Sequence, residues 1–222
     1  MLNNGVSKGL GRVFKSDERD IKYPLRALMV GDPQALPAFQ YWKTGPVLDQ
    51  SATSMCVGFS ARQWLTSSPV PDKGGPTPQE IYAGAQANDE WDGTNYAGTS
   101  DRGAMKWLQA QGYVSAYHWA ANAEEAMAFV LTRGGALVGL DWMQGMERPD
   151  VHGVIHATGA VRGGHELFIC GANRTRGLFR LCNSWGLSFG QRGKCWLSGE
   201  DLQKLLDNGG DVVAPTQVAV TP

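Results

Sequence analysis

The stretch GGHELFICGANRTRGLFRLCNSWG, residues 163–186, contains two β-rich segments joined by a polar turn. HELFICGA (165–172) and GLFRLCNSW (177–185) are short, apolar and bounded by glycine, and ANRTRG between them is typical of a hairpin turn. The stretch therefore predicts a hairpin, with a histidine where its first strand opens and an asparagine where its second strand ends.

The two halves of the chain have different secondary-structure signals. ALVGLDW (136–142) and KCWL (194–197) add further strand segments to the second half. The first half carries helical signals instead: a helix beginning at Cys56, a helix opened by Thr77 and Pro78, a helix over 101–111 and a helix over 122–132. This segregation predicts an α+β fold with a cleft between two lobes.

The N-terminal part of the chain is polar and broken by glycine and proline. Within it, SDERD (16–20) and DPQALPAF (32–39) favour an extended arm over a packed element. We therefore predict an N-terminal arm over 1–45 and one catalytic domain over 46–222. That domain divides into a mainly helical lobe, 46–133, and a mainly β lobe, 134–222.

Composition excludes several classes of function. The 222 residues carry a net charge of −1 and contain no basic run, which argues against a nucleic-acid partner. No window approaches 18 apolar residues and the N-terminus has no apolar signal region, so neither a membrane span nor a secretory leader is expected. The four cysteines form no CxxC pair, so we expect no zinc site, no cofactor and a reducing compartment.

The stretch LDQSATSMCVGFS, residues 48–60, places a cysteine where a helix is expected to begin. Ser51 to Ser54 offer N-cap candidates. A lone cysteine in this position is most often a small buried apolar residue. The alternative is a nucleophile, because a helix N-terminus and a nearby imidazolium lower the pKa of a thiol. Gln50, six residues before Cys56, decides between these two only in combination with the downstream motifs.

Taken together, these motifs resemble the papain-like (C1-type) cysteine peptidases in their bacterial and phage members. The anchors of the resemblance are Gln50 with Cys56, Gly163-Gly164-His165, Asn183-Ser184-Trp185-Gly186, and Phe189-Gly190 with Gly193. Three other segments also resemble the family: SDERDIKYP, TPQEIYAGA and YAGTSDRGAMKWLQAQG. The resemblance covers roughly residues 16–200.

The resemblance implies a papain-like fold, in which a helical lobe and a barrel-like β lobe enclose the active site. It implies these catalytic residues: Cys56 as nucleophile, His165 as base and acid, Asn183 as the partner of the imidazole, and Gln50 as oxyanion donor. It also implies that Gly98, Thr99 and Gly164 bind an extended substrate and that Trp185 shields the His–Asn pair. In the family the specificity pocket beside this loop is usually apolar, but the sequence does not show which residues line it here.

The function that the resemblance implies is a cysteine endopeptidase that hydrolyses peptides or proteins through an acyl-enzyme on Cys56. We expect it in the cytoplasm, or in the virion if it is phage-encoded. One alternative is an assembly component, for instance of a phage particle, that keeps the fold with weak or no activity. A cell-wall amidase is a third interpretation, but its Asp-Cys-Ser-Gly nucleophile motif is absent. A homo-oligomer or larger assembly stays open.

Other residues depart from the family pattern or compete for a role. Thr53 stands where the family has a disulfide cysteine, and Glu166 follows the histidine where many members carry a small residue. We expect Cys170, Cys182 and Cys195 to be core residues, with a disulfide among them left open. The remaining histidines are expected in loops: His118 as a surface or packing residue, and His152 and His156 near the cleft.

Overall fold

The structure is a computed structural model that describes residues 8–15, 22–28, 35–70 and 74–217. Five α-helices lie in these ranges: α1 Cys56–Leu65, α2 Pro78–Gln86, α3 Asp101–Ala110, α4 Ala123–Thr132 and α5 Gly199–Asp207. Short 3₁₀ helices lie at Leu25–Leu28 and Gln144–Met146. Helix and strand segregate along the chain as expected, and the α+β prediction is confirmed.

Eight strands form a single sheet, and all of its pairings but one are antiparallel. They are β1 Phe39–Tyr41, β2 Val114–Trp119, β3 Ala136–Met143, β4 Val154–Ile155, β5 Val161–Asn173, β6 Leu178–Cys182, β7 Lys194–Ser198 and β8 Asp211–Gln217. The order is β2-β8-β3-β5-β6-β7-β4, β1 pairs with β5, and β4 runs parallel to β7. The predicted hairpin is β5–β6.

The sheet separates two hydrophobic cores, because neighbouring residues of a strand point to opposite faces. On β3 and β5, Leu137 and Phe168 pack against α1, α2 and α3, whereas Val138 and Leu167 pack on the other face with α4 and α5. Both faces are buried, which explains why these strands appear in the sequence as unbroken apolar runs.

Local signals explain where several helices begin. Thr77 caps α2 and forms a capping box with Glu80, and the Asn122 side chain caps α4. The expected cap of α1 at Ser51–Ser54 is wrong, because the N-cap residue is Met55 and makes no side-chain cap bond. The loop expected at His118 is also wrong, since this residue lies in β2 and pairs with β8.

Parts of the predicted arm pack against the domain. Leu25 is fully buried, and Phe39–Tyr41 pairs with β5. These parts are therefore packed elements and not a free arm; of DPQALPAF, Phe39 lies in β1 and residues 32–34 lie outside the described residues. SDERD, at 16–20, lies outside the described residues.

Candidate active site

Cys56 is the first residue of α1, where the helix dipole favours negative charge. The backbone N–H groups of Glu166, Gly11 and Val57 lie near its sulfur, so the thiol lies against β5 and against the N-terminal segment. The side chain is completely buried, and this burial raises the pKa of the thiol to about 12. The thiol is therefore neutral at pH 7 in this arrangement.

His165 lies on β5 and hydrogen-bonds to Asn183, which follows β6. Its Nε2 is 2.9 Å from Asn183 Oδ1, and both side chains are fully buried. The other ring nitrogen, Nδ1, has no hydrogen-bond partner among the described residues. Burial lowers the pKa of His165 to about 4, so the imidazole is also neutral at pH 7.

Aromatic rings enclose the imidazole on several sides. The indole of Trp185 stacks on His165 with ring centroids 4.8 Å apart, and Trp142 on β3 meets the imidazole edge-on at 5.1 Å. Phe189 packs in turn against Trp185. This cluster keeps water from the His165–Asn183 hydrogen bond, which strengthens the bond. Trp142 was not singled out in the sequence, where it looks like any aromatic residue of an apolar strand.

Gln50 is held in place by both ends of its side-chain amide. Its Oε1 accepts a 2.5 Å hydrogen bond from Ser184 Oγ, next to Asn183. Its Nε2 donates to the carbonyl oxygens of Thr53, at 2.7 Å, and Gly9, at 3.1 Å. The Gln50 side-chain amide therefore already donates to a peptide carbonyl of another segment, that of Gly9.

That segment, residues 8–15, occupies the cleft and is called the cleft strand below. Thr99 N–H donates to Gly11 O and Val13 N–H donates to Thr99 O, which makes the pairing at Arg12 parallel. Gly164 O accepts from the backbone N–H groups of Gly11 and Arg12, at 3.0 and 3.1 Å. The predicted substrate-binding residues Thr99 and Gly164 thus bind a peptide backbone, and that backbone belongs to the chain itself.

The cleft strand can lie this deep because it carries glycine at its closest approaches. A Cβ at Gly9 would lie 1.8 Å from Thr53 O, and a Cβ at Gly11 would lie 2.1 Å from Ser54 O. The loop that pairs with the cleft strand also has a glycine at its closest approach. Gly98 has φ +99°, and a Cβ there would lie 2.4 Å from Gly11 O. Any larger residue at these positions would push the two backbones apart.

The pocket beside Gly98 and Thr99 is acidic, unlike the usually apolar pocket of the family that the sequence resembles. Arg12 of the cleft strand fills it and is 6% exposed. Its Nη2 lies 2.7 Å from Asp211 Oδ1, and its Nε lies 3.9 Å from Asp101 Oδ2. The Glu166 carboxyl is a third acidic neighbour. Burial lowers the pKa of Arg12, but the attraction of the three carboxyl groups outweighs this and leaves it raised.

The structure brings the eight predicted site residues together around the cleft: Gln50, Cys56, Gly98, Thr99, Gly164, His165, Asn183 and Trp185. The other histidines lie elsewhere. His156 pairs with Asp150 in an exposed loop. Cys170, Cys182 and Cys195 are buried free thiols, so no disulfide joins them. Across the described ranges, no cluster of His, Cys, Asp and Glu has the arrangement of a metal site.

A membrane-spanning helix is not found among the described residues, where each helix is too short or too polar to cross a bilayer.

No family model matches the sequence, and no curated protein matches it. Comparison of the structure with solved structures finds similar proteins. Xylellain, a cysteine protease from Xylella fastidiosa, superposes with a TM-score of 0.74 at 17% identity, covering 99% of this chain and 100% of the other. Digestive procathepsin L2 from Tenebrio molitor gives 0.66 at 16% identity, covering 94% and 78%. A Carica candamarcensis cysteine protease in complex with E-64 gives 0.63 at 14% identity, covering 83% and 100%. The chain therefore has the fold of the papain-like cysteine proteases.

Proposed function

We propose that this chain is a cysteine endopeptidase, with its catalytic domain over 46–222 and an N-terminal arm over 1–45. One observation carries the proposal: the buried His165 Nε2 is hydrogen-bonded to Asn183 Oδ1 beneath Trp185, while Nδ1 has no hydrogen-bond partner among the described residues. An imidazole fixed through one nitrogen and free at the other is what a thiol needs to exchange a proton. The papain-like fold supports the same conclusion.

In the proposed reaction the cleft strand leaves and a substrate peptide takes its place between Thr99 and Gly164. His165 takes the thiol proton, and the Cys56 thiolate attacks the substrate carbonyl carbon. The carbonyl oxygen gains negative charge and receives hydrogen bonds from Gln50 Nε2 and the Cys56 backbone N–H.

The imidazolium then gives its proton to the departing amine as the C–N bond breaks, which leaves a thioester on Cys56. Water, deprotonated by His165, hydrolyses the thioester and regenerates the thiol. Asn183 holds the imidazole in the orientation and tautomer that both steps require.

The test is covalent labelling followed by intact-mass measurement. E-64, the compound in the Carica candamarcensis structure, should add once to the full chain, at Cys56. Cys56→Ser and His165→Ala should each lose the adduct and the hydrolysis of casein, whereas Cys170→Ser should keep both, because the Cys170 thiol is bonded to Arg180 O within the β5–β6 hairpin. The absence of labelling, while iodoacetamide alkylates Cys56 in folded protein, would contradict the proposal and favour an assembly role.

A further inference from the structure

The acidic pocket is built from side chains that are far apart in the sequence. Asp101 opens α3, Glu166 lies within β5, and Asp211 opens β8. Asp101 and Glu166 are 2% and 0% exposed, and the Asp211 side chain is 17% exposed. We define these three as the acidic pocket.

The pocket also has space reserved for a long side chain. Gly139 lies in the middle of β3, between apolar residues, where a glycine weakens a strand. A Cβ there would lie 2.2 Å from Arg12 Nε and 2.5 Å from Asp211 Oδ1. The carbonyl oxygen of Gly209 completes the lining, since it accepts a 3.1 Å hydrogen bond from Arg12 Nη2.

The pocket stabilises a cation and disfavours a neutral occupant. Burial and repulsion from Asp101 raise the pKa values of Glu166 and Asp211, whereas the Arg12 guanidinium lowers both, so the carboxyl groups ionise more readily when a cation occupies the pocket. An apolar side chain in this pocket would leave the carboxyl groups without the cation that now faces them, which is costly in a buried site.

The pocket also lies at a defined position relative to the nucleophile. Gly11, whose backbone N–H donates to Gly164 O, lies next to the Cys56 thiol, and Arg12 is the next residue along the cleft strand. A side chain in the pocket therefore belongs to a residue adjacent to the one that lies over the thiol.

We propose that the acidic pocket selects an arginine or lysine side chain in the substrate, at a residue next to the one whose carbonyl carbon Cys56 attacks. This inference rests on the proposed peptidase function. Arg12 then acts as a built-in copy of the substrate side chain that the enzyme recognises. Arginine should bind better than lysine, because Nη2 bonds to both Asp211 and Gly209 while Nε faces Asp101.

The experiment uses the full chain with Arg12→Ala, which removes the competing cation but keeps the cleft strand. Internally quenched peptides carry arginine, lysine, citrulline or leucine on either side of the residue that is attacked. Citrulline has the shape of arginine without its charge. We expect kcat/KM to be at least about tenfold higher for arginine than for citrulline at one position, as for hydrogen bonds to charged groups.

Variants of the acidic pocket then test whether its carboxyl groups cause the preference for arginine. Asp211→Asn should bring the arginine-to-citrulline ratio of kcat/KM toward one, and Glu166→Gln offers a second test if the first variant folds poorly. Arg176→Ala is the matched control, because Arg176 stacks on Trp196, away from the cleft, and its removal should leave the ratio unchanged.

The outcomes separate this inference from the peptidase proposal. Labelling by E-64 with equal cleavage of arginine and citrulline peptides overturns the inference and leaves the peptidase intact. If no peptide is cleaved, calorimetric binding of Gly-Leu-Gly-Arg-Val to the Arg12→Ala chain decides. Tighter binding than that of its citrulline analogue supports the pocket, and equal binding overturns it.

Discussion

Asn183 accepts two hydrogen bonds at its side-chain oxygen. Its Oδ1 accepts from His165 and from the Ser184 backbone N–H, so the amide is oriented by its own chain before it orients the imidazole. A side chain held in this way imposes one position on its partner, and a proton transfer depends on that position.

Replacing Asn183 by alanine should therefore impair the chemistry more than substrate binding. We expect kcat to fall by about 10²-fold, the lower end of what a positioned acid–base group contributes, with KM little changed. Steady-state hydrolysis of a fluorogenic peptide measures both constants. Asn173→Ala is the control, since Asn173 lies at the tip of the same hairpin and bonds to Tyr41 instead. A rise in KM with kcat preserved would show that Asn183 acts on binding.

At the level of single residues, the proposed catalytic residues could be picked out from the sequence, whereas the acidic pocket could not. Gln50, Cys56, His165 and Asn183 have fixed local contexts that a single sequence displays. Asp101, Glu166 and Asp211 come from three distant elements, and only the folded sheet brings them to Arg12. The one signal was a charged residue inside an apolar strand, at Glu166. Such a residue is rarely buried without a partner, so a partner should have been sought.

Among the elements, the cleft strand limits access to the thiol. It buries Cys56 completely, and its Gly9 carbonyl takes hydrogen bonds from Gln50 Nε2 and from Trp185 Nε1. The described state is thus one in which the proposed nucleophile and oxyanion donor are both covered by the chain itself.

Gly11→Val should uncover the thiol. The added Cβ would lie 2.1 Å from Ser54 O, a backbone atom of a loop that is fixed by Gln50, so the cleft strand must move instead. We expect the rate of alkylation of Cys56 by iodoacetamide to rise at least about tenfold, because burial currently raises the pKa of the thiol to about 12.

Alkylation quenched at a series of times, followed by peptide mapping of Cys56, measures that rate. Gly199→Ala is the control, because a Cβ at Gly199 meets its nearest atom at 3.6 Å and the residue lies at the start of α5. Equal alkylation rates in Gly11→Val and the original chain would mean that the cleft strand does not protect the thiol.

A capping box stabilises the start of α2. Thr77 Oγ1 accepts from the Glu80 N–H, and Glu80 Oε2 accepts from the Thr77 N–H, in a capping box. Thr77→Ala should lower the free energy of unfolding by about 1 kcal/mol, the usual cost of losing an N-cap. Urea denaturation measures this value, with Thr175→Ala in the exposed hairpin turn as control. A loss no larger than that of the control would show that tertiary packing alone holds the end of α2.

Several elements with such local signals were predicted from the sequence, although α5, which Ser198 caps, was not. The starts of α2 and α4 follow from their caps, and β5–β6 follows from two apolar runs around a polar turn. β2 was taken for a loop because its outer residues are half exposed and its pairing with β8 contains a register shift. Its partner β8 lies about a hundred residues away, so the pairing leaves no trace in the local pattern.

In the whole molecule, the sheet carries the site between two cores. Helix α1 brings Cys56 to one face, while His165 on β5 packs among Trp142 and Trp185. This placement buries a histidine and acidic groups together. Folding stability must therefore depend on pH.

The titrating groups act in opposite directions. Glu166 and Asp211 have raised pKa values through burial, so their contribution to stability is present at low pH and is lost as the pH rises. Burial lowers the pKa of His165 to about 4, against about 6.5 in the unfolded chain. Between pH 6.5 and 4 the unfolded chain therefore binds a proton at His165 that the folded chain does not bind. The free energy of unfolding falls as the pH falls through this window.

The contribution of His165 can be isolated by comparison with His165→Phe, which keeps a flat ring between the two indoles but does not titrate. The acidic groups are present in both chains, so their effects cancel in the difference. Urea denaturation at pH 6.5 and 4.5 should show that the original chain loses about 2 kcal/mol more than the variant over this interval. His152→Ala, which removes an exposed histidine, should follow the original chain. Equal losses in the original chain and His165→Phe would mean that the folded protein accepts a proton at His165 as readily as the unfolded chain. The cleft would then have to open in that pH range, because a buried, aromatic-enclosed imidazole cannot become charged at so little cost.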